Sequence, residues 1–147
     1  MSPRSRASAV TSALRERLDD IKPLNGYMTE LRAVYGPADR VPDKAPMPYA
    51  LVRPASDSRT GLAVTQATRL RTFEVEIIFP ASAEEGALCD VHVDVLRALG
   101  IGHDQPERQF PGLLEEQDEA TFDWATQGIT THRITISIGV TYVESYN

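Results

Sequence analysis

Apolar and polar residues alternate along the last run of the chain, which predicts a β-strand with one buried face. Successive side chains of a strand point to opposite faces of its sheet. One face carries Ile134, Ile136, Ile138, Val140 and Tyr142, and the other carries Thr135, Ser137, Gly139, Thr141 and Val143. A partner run, Leu114 to Thr126, precedes it across Gln127-Gly128. Together the two runs predict a closing hairpin whose apolar side packs on a core.

Two other segments place their apolar residues three and four positions apart, which is the spacing of an amphipathic helix. The first runs from Ser8 to Ile21, with Ser5 or Ser8 as its candidate cap. The second runs from Ala83 to Leu99, with Ser82 as its candidate cap and Gly100 as its terminating residue. We therefore predict two helices, each with one apolar stripe.

Shorter extended runs fill the middle of the chain. Residues Tyr27 to Tyr35 follow the Asn25-Gly26 turn signal and predict a strand. The prolines between Gly36 and Pro48 predict an extended loop. After a short predicted strand from Pro48 to Arg53, the polar segment Pro54 to Gly61 predicts a second loop.

The longest extended run, Leu62 to Phe79, changes in character along its length. Its far end is apolar on one face, whereas its near end, which includes Arg69 and Arg71, is polar on both faces. We interpret it as a strand that begins outside the compact body, in a hairpin arm of about residues 53–71. Pro80 ends the strand.

The order of helix, strands, helix and strands predicts an α+β fold. We expect a single domain over residues 1–147, with a mainly antiparallel β-sheet, two α-helices packed on one side and the extended arm. A chain of 147 residues is long enough to bury a core without disulfides or metal.

Composition narrows the classes of function. The lone cysteine excludes an intramolecular disulfide, and the N-terminal arginines precede no apolar stretch, so we expect no secretory signal and no membrane span. The net charge of -6 disfavours tight binding to nucleic acid, which needs clustered Lys and Arg. It still allows DNA to pass beside a negative wall.

The chain has three histidines, which could be ligands of a metal ion. His92 stands between Asp90 and Asp94, and His103 precedes Asp104. On a helix, however, the two aspartates share a face that His92 does not, and no second His or Cys stands at zinc-ligand spacing. We expect ordinary histidines, no metal and no cofactor.

Cys89 and His92 stand at positions i and i+3 of the second helix, where a thiol and an imidazole can touch. Neighbouring acids raise a thiol pKa and suppress the thiolate, and no orienting third group follows. We interpret Cys89 as a small buried residue at the edge of the helix stripe, and expect no catalytic residues.

Charge is unevenly distributed along the chain. The middle is locally basic and the closing hairpin is locally acidic. The residues concerned are Arg53, Arg59, Arg69 and Arg71 in the first region and Glu115, Glu116, Asp118, Glu119 and Asp123 in the second. An acidic run is usually a solvated face, but in a ring the basic surface of one subunit can meet the acidic surface of the next. These side chains are the candidate interface between subunits or partners.

The chain resembles the tail terminator family of long-tailed bacteriophages, small ring proteins that cap the tail tube. The resemblance is one of pattern and order over nearly the whole chain. It comprises the helix Ser8 to Ile21 followed by Asn25-Gly26-Tyr27, the proline-rich stretch leading into Pro48 to Val52, the polar arm running into Arg71 to Phe79, the helix Ala83 to Leu99 and the closing strand Arg133 to Tyr142.

The resemblance implies a homo-hexameric ring in the virion, at the head-proximal end of the tail. Such a ring stops polymerisation of the tail tube protein and joins the tail to the head–tail connector, with DNA passing through its lumen. Assembly would take place in the host cytoplasm.

Two alternatives stay open at the level of sequence. One is another neck component, such as a connector or tail-completion protein. The other is a small hydrolase that uses Cys89 and His92.

Overall fold

The computed structural model describes residues 5–101 and 105–146, except for the side chains of residues 106 and 115–117. Within these residues there are two α-helices, five strands and two short 3-10 helices. The helices are α1 (Arg6–Asp19) and α2 (Glu85–Ala98), the strands are β1 (Val34–Tyr35), β2 (Tyr49–Ala63), β3 (Gln66–Pro80), β4 (Leu113–Asp123) and β5 (Thr131–Ser145), and the 3-10 helices are Pro23–Asn25 and Pro106–Arg108.

The five strands form one sheet in the order β1-β2-β3-β5-β4. Only β1 and β2 pair in parallel, and the other three pairings are antiparallel. Both helices pack on the same side of this sheet, so the predicted α+β class is confirmed.

The core lies between the helices and one face of the sheet. The alternation predicted for the last run is confirmed, since the exposed fraction of each of its five apolar side chains lies between 0% and 8%. Facing them are Leu14 and Leu18 of α1 and Leu88, Val91 and Val95 of α2. No helix in the described part of the chain has both the length and the hydropathy to span a bilayer.

The start of α1 is held by two acceptors. The Ser5 hydroxyl accepts a hydrogen bond from the Ser8 amide at 3.2 Å, which confirms Ser5 as the cap. The Glu144 carboxylate, at the end of β5, accepts from the amides of Arg6 at 3.0 Å and Ala7 at 3.4 Å. Because the N-terminus of a helix carries partial positive charge, this carboxylate both caps α1 and ties it to the sheet.

The two ends of α2 differ from each other in how well the sequence predicts them. Its N-cap is Glu84, which makes no side-chain cap bond, so the prediction of Ser82 as cap is wrong. Gly100 ends the helix as predicted, with φ at +80°. A Cβ there would lie 2.4 Å from the Arg108 carbonyl oxygen, so glycine is required by both conformation and space.

The strand predicted from Tyr27 to Tyr35 is mostly wrong, because only Val34–Tyr35 is strand. The buried Asp94 carboxylate of α2 explains the difference. It accepts hydrogen bonds from the Met28 amide at 3.2 Å, the Thr29 amide at 2.7 Å and the Thr29 hydroxyl at 2.6 Å. The Met28 and Thr29 amides, which a strand would donate to a neighbouring strand, therefore donate to the Asp94 side chain of α2 instead.

The loop predicted from Pro54 to Gly61 is also wrong. β2 continues through it to Ala63, with register shifts between Pro54 and Ser56 and between Arg59 and Gly61. Such bulges let a polar segment containing proline remain paired with its neighbour. The turn follows at Val64-Thr65, inside the run that was predicted to be continuous strand.

Asp94 gives the first prediction. Asp94→Ala removes a fully buried acceptor and leaves two amides and a hydroxyl unsatisfied. We expect a loss of about 3 kcal/mol in the free energy of unfolding, measured by urea denaturation. Thr29→Val is the matched control, because it removes one donor only and should cost about 1 kcal/mol. Equal stability of Asp94→Ala and the wild type would contradict this role of Asp94.

Candidate assembly surfaces

The second half of β2 and the first half of β3 form a hairpin arm, residues 56–71, which lies within the arm of about residues 53–71 proposed from the sequence. β5 follows the arm to its end, since Gln66 pairs with Ser145 and Arg71 pairs with Val140. The arm is therefore a three-stranded extension of the sheet. Because a two-stranded hairpin is marginal in water, the third strand is what makes a stable projection possible.

Asp57 organises the inner side of this arm. Its carboxylate accepts hydrogen bonds from Arg69 Nε at 2.5 Å and from Arg71 Nη1 at 2.9 Å. The Tyr142 hydroxyl of β5 donates a further hydrogen bond to the same carboxylate. One side chain of β2 thus connects all three strands, and we call these four residues the Asp57 cluster.

The pKa values in the Asp57 cluster follow from this geometry. Burial by itself would raise the pKa of Asp57, but the hydrogen bonds from Tyr142, Arg69 and Arg71 outweigh burial and hold that pKa below 3.8. Burial and the bond to the Asp57 carboxylate raise the pKa of Tyr142 to about 12. The bond to Asp57 also raises the pKa of Arg69. Near neutral pH Asp57 is thus charged, and Tyr142 and Arg69 keep their protons.

The four arginines of the candidate interface divide into two groups. Arg69 and Arg71 are half-buried and bound to Asp57, so their charges are used within the arm. Arg53 lies on the sheet face away from the helices, beside Glu74 at 3.7 Å and in contact with Glu76. Arg59 is exposed and sits opposite Arg69 in the β2–β3 register, a pairing of like charges.

The tip of the arm is apolar. Val64 is fully exposed, and Leu62 and Val143 are 64% and 48% exposed. Val64 also has φ at +34°, a left-handed conformation that β-branched residues rarely adopt. Of the two turn residues only Val64 has a positive φ, at the position where a two-residue hairpin turn favours glycine, so valine costs this turn local stability.

The acidic strand β4 forms the opposite edge of the sheet. Asp118 and Glu119 are exposed, and Asp118 lies 3.3 Å from His92 of α2. The backbone of Glu115 and Glu116 belongs to β4, and their side chains lie outside the described atoms. Arg53 and Arg59 on β2 and the acidic candidates on β4 therefore lie at opposite edges of the sheet, whereas Arg69 and Arg71 lie on the interior strand β3.

An aromatic cluster near the end of β4 was missed at the level of sequence. Phe122 and Trp124 stack with centroids 5.8 Å apart, and the His132 ring meets Trp124 edge-on at 5.2 Å. His132 Nδ1 also accepts a hydrogen bond from the Ala125 amide at 2.8 Å. The alternation of Phe122 with Trp124 was the available signal, but acids dominate that run.

The candidate chemistry around Cys89 takes a different form in the structure. Cys89 is exposed, so the prediction of a buried residue is wrong: it lies just outside the stripe formed by Leu88 and Val91. His92 is oriented to Asp118 of β4. Across residues 5–101 and 105–146, no three His, Cys, Asp or Glu side chains gather closely enough to hold a metal. His103 and Asp104 lie outside the described residues.

An open cleft of about 560 Å³ lies between the ends of α1 and α2. Arg17 in its wall donates to the carbonyls of Ala98 and Arg108, each at 2.9 Å. Arg97 donates to the Gly26 carbonyl and to Asp94. These arginines hold the loops around the helix ends together, which is a structural use of their charge.

Comparison with known proteins supports the fold. No family model matches the chain, and no curated protein matches it. Several solved structures match the chain, and one of them, whose name states no function, superposes with a TM-score of 0.53 at 16% identity, covering 95% of this chain and 94% of that chain. At this identity the likeness shows a shared fold and nothing further.

The Asp57 cluster gives a second prediction. Asp57→Ala leaves Arg69 and Arg71 without their carboxylate, beside the like charge of Arg59. We expect a loss of about 2 kcal/mol in the free energy of unfolding and faster amide exchange across residues 56–71. Asp43→Ala, an exposed aspartate in the proline-rich loop, is the control and should change neither quantity. Unaltered exchange in the arm would argue against the cluster.

The lowered pKa of Asp57 gives a third prediction, which concerns how the unfolding free energy depends on pH. A carboxylate whose folded pKa is depressed stabilises the fold above its unfolded pKa, here 3.8, and loses that contribution as the pH falls through the folded pKa. The difference in unfolding free energy between the wild type and Asp57→Asn should be constant near neutral pH and shrink in acid. A difference that instead grows on acidification would contradict the direction of the shift.

Proposed function

We propose that this chain is a structural protein of a phage tail, a tail terminator that caps the tail tube as a homo-hexameric ring. In this role it stops polymerisation of the tube protein and joins the tail to the head–tail connector. It is not an enzyme in this account and uses no cofactor. Its place is the head-proximal end of the tail in the virion, after assembly in the host cytoplasm.

The projecting arm carries the proposal. A monomer gains little from a three-stranded extension whose tip exposes Leu62, Val64 and Val143 to water. Large apolar side chains exposed together on a projection mark a contact surface. The Asp57 cluster holds that projection in a fixed direction, which reduces the entropy lost when the arm binds a neighbour.

The sheet supports the same role. Its helix-free face carries Glu76, only 6% exposed, between Arg53 and Arg133, with Arg133 at 3.6 Å. Charges paired this way form a rigid polar wall. With a net charge of -6 on each copy, such a ring is suited to let DNA pass without holding it.

The closest competing function is another ring protein of the neck, such as a connector or tail-completion protein. It shares the arm and the sheet, and differs in its partner. Binding of purified tail tube protein separates the two, because a terminator binds the end of the tube and a connector does not.

Electron microscopy tests the proposal, with a variant that makes the tip less apolar but keeps the hairpin. Leu62→Ser and Val64→Gly together remove two exposed apolar side chains and place glycine at the positive-φ position of the turn. We expect unchanged or higher monomer stability and at least a tenfold loss in ring assembly, equivalent to about 1.4 kcal/mol. The physical reason is the loss of apolar area that the ring would bury.

Leu24→Ser is the matched control, since Leu24 is 93% exposed but lies far from the arm in sequence and outside the sheet. It should leave rings intact. Rings that form equally well in the tip variant would refute the role of the arm. A wild-type protein that forms no ring and does not bind tube protein would refute the proposed function itself.

A further inference from the structure

Two edges of the sheet have no strand beside them in the described part of the chain. β1 covers β2 only at Ala50 and Leu51, which leaves residues 52–63 open, and β4 is the last strand on the other side. Strand direction alternates through β2, β3, β5 and β4. If a second copy continued the sheet, its β2 would therefore run antiparallel to β4 of the first copy.

The charges on these two edges have matching spacing. Arg53 pairs with Glu74 of β3 and Arg59 pairs with Arg69. If each pair of opposite residues on neighbouring strands is called a rung, the two arginines are five rungs apart. The register shift between Pro54 and Ser56 is what fits six residues into five rungs. On β4, Asp118 and Asp123 are also five rungs apart, because they pair with Ile138 and Arg133.

The faces match as well as the spacing. Arg59 shares the face of Arg69, which is the helix side, and Asp118 pairs with the buried Ile138 on that same side. Arg53 and Asp123 lie on the helix-free side, opposite Glu74 and Arg133. An antiparallel alignment can therefore satisfy both pairs at once.

We propose that the arm edge of one copy adds to the acidic edge of the next, with Arg59 against Asp118 and Arg53 against Asp123. The proposal rests on the homo-oligomeric ring proposed above and names its contact.

Relative to straight continuation of the sheet, the neighbour is displaced along its strands by four rungs, about 13 Å. A sheet that closes into a ring requires such a stagger. With no displacement, Arg53 would meet Glu119 and Arg59 would pass beyond Leu113 at the end of β4.

The residues between the two ion pairs tolerate this alignment. Ser58 falls opposite Glu119, Asp57 opposite Ala120 and Ser56 opposite Thr121, so no like charges meet. Pro54 offers no amide to the neighbour, which limits the regular hydrogen bonding to the part of the edge beyond the bulge. Strand addition with complementary charges fixes the register as well as the partner.

Disulfide trapping tests this register directly. In a Cys89→Ser background, Arg59→Cys combined with Asp118→Cys should give a ladder of covalent multimers on oxidation, seen on a denaturing gel. Arg59→Cys combined with Thr121→Cys is the matched control, because Thr121 lies three rungs away on the other face. That variant should stay monomeric on the same gel.

Charge reversal gives a second readout that needs no disulfide. Arg59→Asp alone should raise the protein concentration needed for assembly at least tenfold, and Asp118→Arg added to it should restore assembly to within about threefold. Glu16→Arg, a reversal at an exposed site on α1, should have no effect.

The outcomes separate the register from the function. Rings in the wild type, with no covalent ladder from the matched cysteines and no rescue by the double reversal, would overturn the edge contact and leave the ring standing. A wild type that stays monomeric, with no ladder in either variant, would overturn both.

Discussion

β3 and β5 pair antiparallel along their whole length without a register shift, from Gln66–Ser145 to Pro80–Thr131, and the rest of the molecule is built around this ladder. One half of it lies under the two helices, and the apolar side chains on the helix side of both strands form part of the core. The other half forms the arm, and the start of α1 reaches it at Glu144, which pairs with Ala67. Since side chains alternate with period two, a slip by one residue would expose the core rows and would also separate Tyr142 from Asp57. A single register thus determines both the packed body and the projection.

The arm shows how a polar segment can be made rigid without a core of its own. Asp57 gathers two arginines and a tyrosine, so the strands are joined by charge-assisted hydrogen bonds where apolar contacts are few. The end of β5 also caps α1 through Glu144, which fixes the arm relative to the helix layer. Rigid projections with apolar tips and open strand edges are what a self-assembling ring needs, since little order remains to be created on binding.

Sequence periodicity was enough to predict the two helices and the closing hairpin, because each buries a regular apolar row. It failed where a distant side chain sets the local structure. Asp94 takes the backbone donors of Met28 and Thr29, and no local pattern shows that α2 will reach them. The segment from Pro54 to Gly61 has the composition of a loop, and pairing with β3 overrides that tendency. The basic region was foreseen as a surface, yet half of its arginines turn inward, because a lone Asp57 in a polar run gives no sign of its partners.

Self-association is the claim on which the account depends, and native mass spectrometry of the purified wild-type protein over a range of concentrations measures it most directly. The account predicts that monomer gives way, as concentration rises, to one closed species at six times the monomer mass. A protein that stays monomeric throughout that range, or that grows into chains of every length without a preferred closed mass, would contradict it.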